Sequence, residues 1–171
     1  MTVRSGAGPS GLTWDRAMPP HAPVLAGLHE AAFPDGPVWS AADFGAFLAQ
    51  PPALGVLGTV DGLPAGFALA VAAAPEADLV LIAVAPALRR SRIGSGLMAA
   101  LDETLRAAGV REIFLDVADD NPDAIAFYKC LKFQEIGRRK QYYRRQARGS
   151  GESGGAKADR IDAILMARAW T

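Results

Sequence analysis

The stretch that decides the fold begins LVLIAVAPALRRSRIGSGL (79–97). Its apolar first part predicts a buried strand, and leucines spaced four residues apart over residues 97–105 predict a helix after the loop. The first amides of a helix attract anions, and Arg89, Arg90 and Arg92 add positive charge at the same place. The loop is therefore a candidate site for a pyrophosphate.

The glycines of this loop separate it from two common nucleotide-binding motifs. Gly94 and Gly96 would let the backbone approach a ligand closely, because glycine has no Cβ. Their spacing matches neither G-x-G-x-x-G nor G-x-x-x-x-G-K-[ST], which argues against a Rossmann dinucleotide site and against a P-loop nucleoside triphosphatase. By itself, a loop of this composition is more often a solvated connection than a ligand-binding site.

The second half of the stretch reads EIFLDVADDNPDAIAFYKCLKF (112–133). Asp116 alternates with the apolar residues of a strand, so its side chain should point away from the apolar face, and it is a candidate base. Asn121 is a good helix N-cap, and Tyr128 follows it by about two helical turns as a candidate acid. Each residue also has a purely structural alternative. Asp116 could instead bond amides at the start of the next helix, and Tyr128 could be half-buried with its hydroxyl hydrogen-bonded.

Both halves resemble motifs of the GNAT N-acetyltransferase superfamily. R-x-x-R-x-G (89–94) is similar to its acyl-CoA loop, Q/R-x-x-G-x-G/A, and NPDAIAFYKCLKF (121–133) is similar to its N-x-x-A-I-x-x-Y-x-x-x-G-F motif. The chain looks like the branch that acetylates the N-terminal alanine of ribosomal proteins. This closer likeness rests on AAFPDGPVWS (31–40), EADLVLIAV (76–84), DAILMA (162–167) and a pair of adjacent tyrosines, Tyr142 and Tyr143.

The resemblance implies an α/β GNAT fold, a mixed and mostly antiparallel sheet with a central splayed pair of parallel strands, flanked by helices. We expect one domain over residues 11–171, a flexible N-terminus over 1–10 and a mobile Gly/Ser-rich loop over 146–158. Residue patterns predict helices that follow Arg92 and Asn121 and others over 22–32 and 41–50. They predict strands over 12–14, 54–60, 65–74, 78–85, 112–117, 134–143 and 159–169. Asp61-Gly62 predicts a two-residue hairpin turn between the second and third strands, and Ser40 followed by Asp43 can cap the helix over 41–50.

The resemblance also implies acetyl-CoA as cosubstrate, held where the parallel strands splay apart, with pantetheine bonded by the strand backbone. The residues that it assigns to acetyl-CoA binding are Ile82, Ala83, Val84, Arg89, Arg90, Arg92, Ile93, Gly94, Ser95, Gly96, Asn121 and Tyr128. By the same resemblance, Tyr128 protonates the departing thiolate. Asp116 would act as base, through an ordered water rather than directly, with Glu76 and Asp78 as reserves.

Four residues depart from the family pattern. Arg92 and Lys132 stand where glycines are usual, and glycine tolerates a left-handed backbone that other residues avoid. At Arg92 we expect either a backbone without positive φ or a different local geometry. Asp116 replaces the usual glutamate and Leu81 a small polar residue, which puts the identity of the acceptor in doubt.

Composition narrows the class of protein. Half of the 171 residues are hydrophobic and the formal net charge is zero, which predicts one soluble domain and argues against wholesale nucleic-acid binding. The only cysteine, Cys130, excludes an intrachain disulfide, and we expect a buried structural thiol. His21 and His29 lack metal-ligand spacing, so no metal is expected, and we expect both to be surface or packing residues. No apolar run approaches the ~20 residues that cross a bilayer, and we expect a cytoplasmic protein without membrane contact.

Amine acidity favours a protein or peptide N-terminus as acceptor, with ribosomal proteins as one candidate. An α-amine is about 10% neutral at pH 7, and a lysine well under about 0.1%. The alternatives are acetylation of a small-molecule amine, a non-catalytic acyl-CoA-binding module, and a ribosome or nucleic-acid binder. The last would use a run of basic residues, Arg138, Arg139, Lys140, Arg144, Arg145 and Arg148. The sequence leaves monomer and homodimer both open.

Overall fold

The computed structural model describes residues 11–144 and 160–170, in which seven strands form one mixed sheet with one parallel pair, flanked by four helices. The elements are β1 (Leu12–Arg16), α1 (Ala22–Ala32), α2 (Ala41–Leu48), β2 (Ala53–Val60), β3 (Leu63–Ala73), β4 (Glu76–Val84), α3 (Ile93–Ala107), β5 (Glu112–Ala118), α4 (Pro122–Cys130), β6 (Gln134–Arg144) and β7 (Arg160–Ala169). The strand order is β1-β2-β3-β4-β5-β7-β6. The α/β fold class predicted from the sequence is confirmed.

The described residues fall into two compact units. The first ends at Ile113 and contains β1 to β4 with α1 to α3, and the second runs from Phe114 to Trp170 and contains α4, β6, β7 and most of β5. One domain over residues 11–171 stays a prediction. The predicted flexible terminus (1–10) and the predicted mobile loop (146–158) lie outside the described residues.

Local sequence signals explain most element bounds in the first unit. Asp61 and Gly62 both adopt positive φ and join β2 to β3 in the two-residue hairpin that the sequence predicted. Ser40 and Asp43 form the predicted capping box of α2. That helix ends at Leu48 rather than at the predicted Gln50, because a proline disfavours helical backbone in the residue before it.

β4 carries a bulge next to β3. Leu81 pairs with Leu69 and Leu79 pairs with Ala70, so Val80 is an extra residue in β4 and has no counterpart in β3. A bulge bends its strand and increases the local twist. The bulge therefore bends β4 just before residues 82–84, to which the resemblance assigns pantetheine binding.

α3 packs on the sheet over glycines of β2 and β3. A Cβ at Gly58 would lie 2.7 Å from Leu97 Cδ2, and a Cβ at Gly66 would lie 2.9 Å from Leu97 Cδ1 and would overlap the Ala83 carbonyl oxygen. Leu97 itself is fully buried. Side chains at the two glycine positions would push the helix away from the strands, so the glycines set how closely α3 approaches the sheet.

His29, on α1, is buried in an aromatic cluster to which α2 and β3 also contribute. Its ring lies 5.2 Å from that of Phe33 and 5.7 Å from that of Phe44, and Phe44 meets Phe67 edge-on at 5.5 Å. His29 Nδ1 has no hydrogen-bond partner among the described residues. Burial lowers the pKa of His29, because it penalises the charged imidazolium. His29 is thus a packing residue, one of the two alternatives that the sequence suggested.

Replacing Gly66 by alanine should destabilise the fold, because the new Cβ would overlap a strand carbonyl and crowd Leu97. We expect a loss of about 2 kcal/mol in the free energy of unfolding, measured by urea denaturation. Gly27→Ala is the matched control, since Gly27 lies in α1 with nothing within 4 Å of its Cβ position. It should stabilise by about 0.5 to 1 kcal/mol. Equal effects of the two substitutions would contradict this account of α3 packing.

The lowered pKa of His29 makes stability depend on pH. As pH falls through about 6.5 the unfolded chain binds a proton that the folded chain resists, so stability present above about pH 6.5 is lost below it. The limiting slope is about 1.4 kcal/mol per pH unit. His29→Phe keeps a ring and removes the titration, so its unfolding free energy should vary less between about pH 5.5 and 7.5. Identical slopes in the two proteins would refute the assignment.

Candidate functional site

The loop between β4 and α3 holds two arginines in the left-handed region. Arg90 has φ of 62° and Arg92 has φ of 65°. Of the two alternatives expected at Arg92, a backbone without positive φ is therefore wrong, and the arginine adopts the conformation that glycine would take. Neighbouring bonds hold it there, since Arg92 accepts the Gly96 amide at 3.0 Å and Ser91 Oγ donates to the Leu88 carbonyl.

The N-terminus of α3 differs from those of α2 and α4. Ser40 and Asn121 cap their helices with side-chain oxygens, at 3.2 Å from the Asp43 amide and 3.1 Å from the Ala124 amide, whereas Arg92 makes no such bond. The amides of residues 93–95 precede the first hydrogen bond within α3, so they have no partner inside that helix. The first turn of α3 therefore presents backbone donors beside two exposed arginines, a suitable arrangement for a phosphate anion.

Two residues that the sequence assigned to this loop have contacts within the first unit. Arg89 Nη2 donates to the carbonyl oxygen of Ala32, the last residue of α1, at 2.7 Å. A Cβ at Gly96 would lie 2.5 Å from Leu12 Cδ2, so this glycine is needed for packing against β1. Arg89 thus holds the loop to the C-terminus of α1 in addition to carrying positive charge.

The segment 82–84 at the end of β4 is paired with β3. Ile82 lies opposite Ala68 and Val84 opposite Gly66. Ala83 is buried, and its two neighbours are half-buried. The other two acidic candidates, Glu76 and Asp78, are exposed at the start of the same strand.

Asp116 lies on β5 in the second unit, as the alternation predicted. Leu115 and Val117 on either side of it are buried, and the Asp116 carboxylate is partly exposed. Its Oδ2 atom lies 3.7 Å from Nη1 of Arg139, whose guanidinium lies over the Tyr142 ring at 5.4 Å. A partly exposed pair of this kind contributes little stability, but it places a cation beside the candidate base.

Tyr128 is half-buried near the C-terminus of α4. The Phe133 amide donates to the Tyr128 carbonyl and the Lys132 amide to the Lys129 carbonyl, both at 3.0 Å, the pattern of a Schellman motif. Lys132 has φ of 69° in this motif, the conformation that its family glycine would adopt. The Tyr128 and Phe133 rings meet at 5.7 Å and 66°, the apolar contact that accompanies such an ending.

Cys130 is exposed, so the prediction of a buried thiol is wrong. Ala126 and Lys129 are exposed as well, at the spacing that places them beside Cys130 on one stripe of α4. The cysteine lies on the solvent-facing side of the helix. A helix of only nine residues gave no clear indication of which face would be buried.

The basic run is only partly within the described residues. Arg138 pairs with Glu135 at 2.9 Å and Arg139 pairs with Asp116, which leaves Lys140 without an ion pair in the structure as described. Arg145 and Arg148 lie outside the described ranges. Over residues 11–144 and 160–170 no group of three or more His, Cys, Asp or Glu side chains could hold a metal ion. In the same ranges no helix is both long enough and apolar enough to cross a membrane.

The sequence did not predict which residues, distant in the chain, contact Asp116 and the helix that carries Tyr128. Arg139 was noted only as one member of a basic run, and Arg168 was not noted at all, although its Nη1 donates to Leu131 at the end of α4. No local spacing signals these contacts. They depend on strand register, and β6 and β7 shift register twice.

Comparison with known proteins agrees with this fold and these motifs. The profile of the Acetyltransferase (GNAT) family matches residues 23–133. The [ribosomal protein bS18]-alanine N-acetyltransferase of Escherichia coli K12 is 38% identical over 85 residues, 50% of this chain and 57% of that protein. The match thus spans little more than half the length of that curated relative.

Two solved structures share the whole fold. The crystal structure of ribosomal-protein-S18-alanine N-acetyltransferase from E. coli has a TM-score of 0.75 and 29% identity, and covers 91% of this chain and 92% of its own. Ard1 from Thermoplasma volcanium has a TM-score of 0.75, 24% identity and coverage of 93% and 97%. Because the family profile spans well over half of its residues, the chain belongs to the GNAT family of acetyltransferases.

Proposed function

We propose that this acetyltransferase moves the acetyl group of acetyl-CoA to the N-terminal α-amine of a protein or peptide, by direct attack in a ternary complex. The observation that carries the choice of acceptor is the 38% identity to an enzyme named for the alanine of ribosomal protein bS18. A ribosomal protein is therefore the first acceptor to test. Such an acceptor would place the enzyme in the cytoplasm.

The N-terminus of α3 supports acetyl-CoA as donor. Its uncapped amides over residues 93–95 and the exposed charges of Arg90 and Arg92 fit the pyrophosphate, since helix N-termini and guanidinium groups both bind phosphate oxygens. In this proposal the backbone of residues 82–84 bonds the pantetheine. The donor is thus held mainly by main-chain groups, and side chains of the loop add charge.

The reaction needs one bond to form, one to break and two proton movements. The neutral amine attacks the thioester carbonyl, the new C–N bond forms, and the C–S bond breaks. In the proposal Tyr128 gives its hydroxyl proton to the departing sulfur, and Asp116 takes the proton that the amine loses, through an ordered water. Positioning of the two substrates supplies much of the remaining acceleration.

An α-amine suits this arrangement better than a lysine. About 10% of an ordinary α-amine is neutral at pH 7, so a single aspartate acting through water has little deprotonation to accomplish. A lysine amine starts roughly 3 kcal/mol further from the neutral form. The shorter reach of Asp116, compared with a glutamate, therefore matters less for an N-terminus.

Tyr128→Phe should lower kcat by about 100-fold, because it removes the proposed proton donor and keeps the ring. The assay follows thiol release from acetyl-CoA. The acceptors are a lysine-containing peptide that begins with alanine, the same peptide with its N-terminus blocked, and a panel of small amines. The dissociation constant for acetyl-CoA should change by less than about threefold, since one hydroxyl is lost from a large ligand site.

The acceptor panel distinguishes the alternatives. Turnover on the free N-terminus that disappears on blocking is expected. Turnover on small amines alone would overturn the choice of acceptor. Acetyl-CoA binding without turnover on any amine would instead identify a non-catalytic binding module.

Asp116→Asn should lower kcat/KM for the Ala-first peptide by roughly 10- to 100-fold at pH 7, because the proposed base is lost. The deficit should shrink near pH 9, where most of the α-amine is already neutral. Asp61→Asn in the β2–β3 turn is the matched control, since asparagine tolerates the left-handed backbone there, and it should behave like wild type. A loss that is constant with pH would assign Asp116 a structural role.

A further inference from the structure

The side chain of Arg168, on β7, closes the C-terminal end of α4. Its Nη1 atom donates to the carbonyl oxygen of Leu131 at 3.0 Å, and Leu131 is the C-cap of the helix. The last carbonyls of a helix lack partners within it and carry partial negative charge, so a guanidinium is a well-matched donor. The bond is partly buried, which makes it stronger than an exposed one.

The same guanidinium also lies over two aromatic rings. Its Cζ atom is 4.6 Å from the centroid of the Phe133 ring and 5.4 Å from that of Trp170. Phe133 is only 3% exposed. A planar cation can stack on a ring and donate in its own plane at once, whereas a lysine ammonium makes such a paired contact poorly.

Phe133 links Arg168 to the proposed acid. It is the residue whose amide bonds the Tyr128 carbonyl, and its ring meets the Tyr128 ring at 5.7 Å. Arg168 therefore contacts both the last turn of α4, through Leu131, and the ring against which Tyr128 rests. A change at Arg168 would loosen the turn and the ring contact together.

We propose that Arg168 is a positioning residue for Tyr128, which it holds through Phe133 and through the C-cap of α4. The inference rests on the proposed role of Tyr128 as the acid. Proton transfer requires donor and acceptor within hydrogen-bond reach, and a misplacement near 1 Å costs up to about 100-fold in rate. Arg168 acts on the direction in which the Tyr128 side chain leaves the helix, without touching either substrate.

The test is a double-mutant cycle between Arg168 and Tyr128. Arg168→Met should lower kcat about 10-fold, with the KM for peptide and the dissociation constant for acetyl-CoA within about twofold of wild type. Arg168→Lys should be intermediate, because it keeps the charge and loses the planar stacking. In the Tyr128→Phe background Arg168→Met should cause no further loss of kcat. Arg160→Met, at an exposed arginine on the same strand, is the control and should match wild type.

Several outcomes would overturn the inference. An equal loss of kcat in both backgrounds would show that Arg168 does not act through Tyr128, and a loss confined to KM would assign it to binding. If Arg168→Met fails to fold, Arg168→Gln, which keeps a donor for Leu131, takes its place in the cycle.

A second measurement separates this inference from the assignment of the acid. Protein labelled with 3-fluorotyrosine gives a ¹⁹F resonance for Tyr128, identified by its absence in Tyr128→Phe. In Arg168→Met that resonance should shift and its titration midpoint should change, while Arg160→Met should leave it in place. An unchanged resonance would overturn the positioning role. If Tyr128→Phe leaves kcat unchanged, the acid assignment fails, and the resonance alone decides whether Arg168 positions Tyr128.

Discussion

The close approach of α3 to the sheet is the constraint on which the proposed donor site depends. The two methyl groups of Leu97 occupy the space that side chains at Gly58 and Gly66 would fill, and Gly96 lets the first turn of the helix approach Leu12. A helix held at this distance has a fixed position and axis. The amides of residues 93–95 point out of its N-terminal end along that axis, so their direction is fixed as well. Packing inside the first unit therefore sets the direction of these amides, which are the backbone part of the proposed pyrophosphate site.

Two charged residues show that a left-handed backbone does not require glycine. Arg92 and Lys132 stand at family glycine positions and keep positive φ, at a cost of roughly 1 kcal/mol each relative to glycine. Surrounding bonds hold both residues in place, the Gly96 amide at Arg92 and the Schellman pair around Lys132. A motif written in terms of glycine is thus a statement about backbone conformation, and another residue can satisfy it when its neighbours supply the missing energy.

Local chemistry made much of the fold and part of the site predictable from the sequence. Capping residues, a two-residue turn and helical spacing predicted α1 with its observed bounds, the β2–β3 hairpin, the Asn121 cap and the side of β5 that carries Asp116. Contacts between distant residues were not predictable, because they depend on register and on bulges that leave no periodic signal. The hydrogen bonds from Arg89 to Ala32 and from Arg168 to Leu131, and the ion pair of Arg139 with Asp116, are of this kind.

The structure of the second unit depends on individual side chains, whereas the loop between β4 and α3 offers mainly backbone groups. β6 carries three residues, Lys140 to Tyr142, opposite the single residue Asp162 of β7, and the amide of Gln141 bonds the Asp162 carboxylate at 2.8 Å. The carbonyl of Asp162 accepts the amide of Asp119, just after β5, at 3.0 Å. Asp162 therefore ties the irregular part of β6 to the segment that follows Asp116. In the proposed function, backbone amides bind the phosphate whatever their side chains, so the loop before α3 tolerates an arginine in place of glycine. In the same proposal, a carboxylate is useful only at the reach of its own side chain, so aspartate in place of glutamate at position 116 would change the chemistry offered to the acceptor.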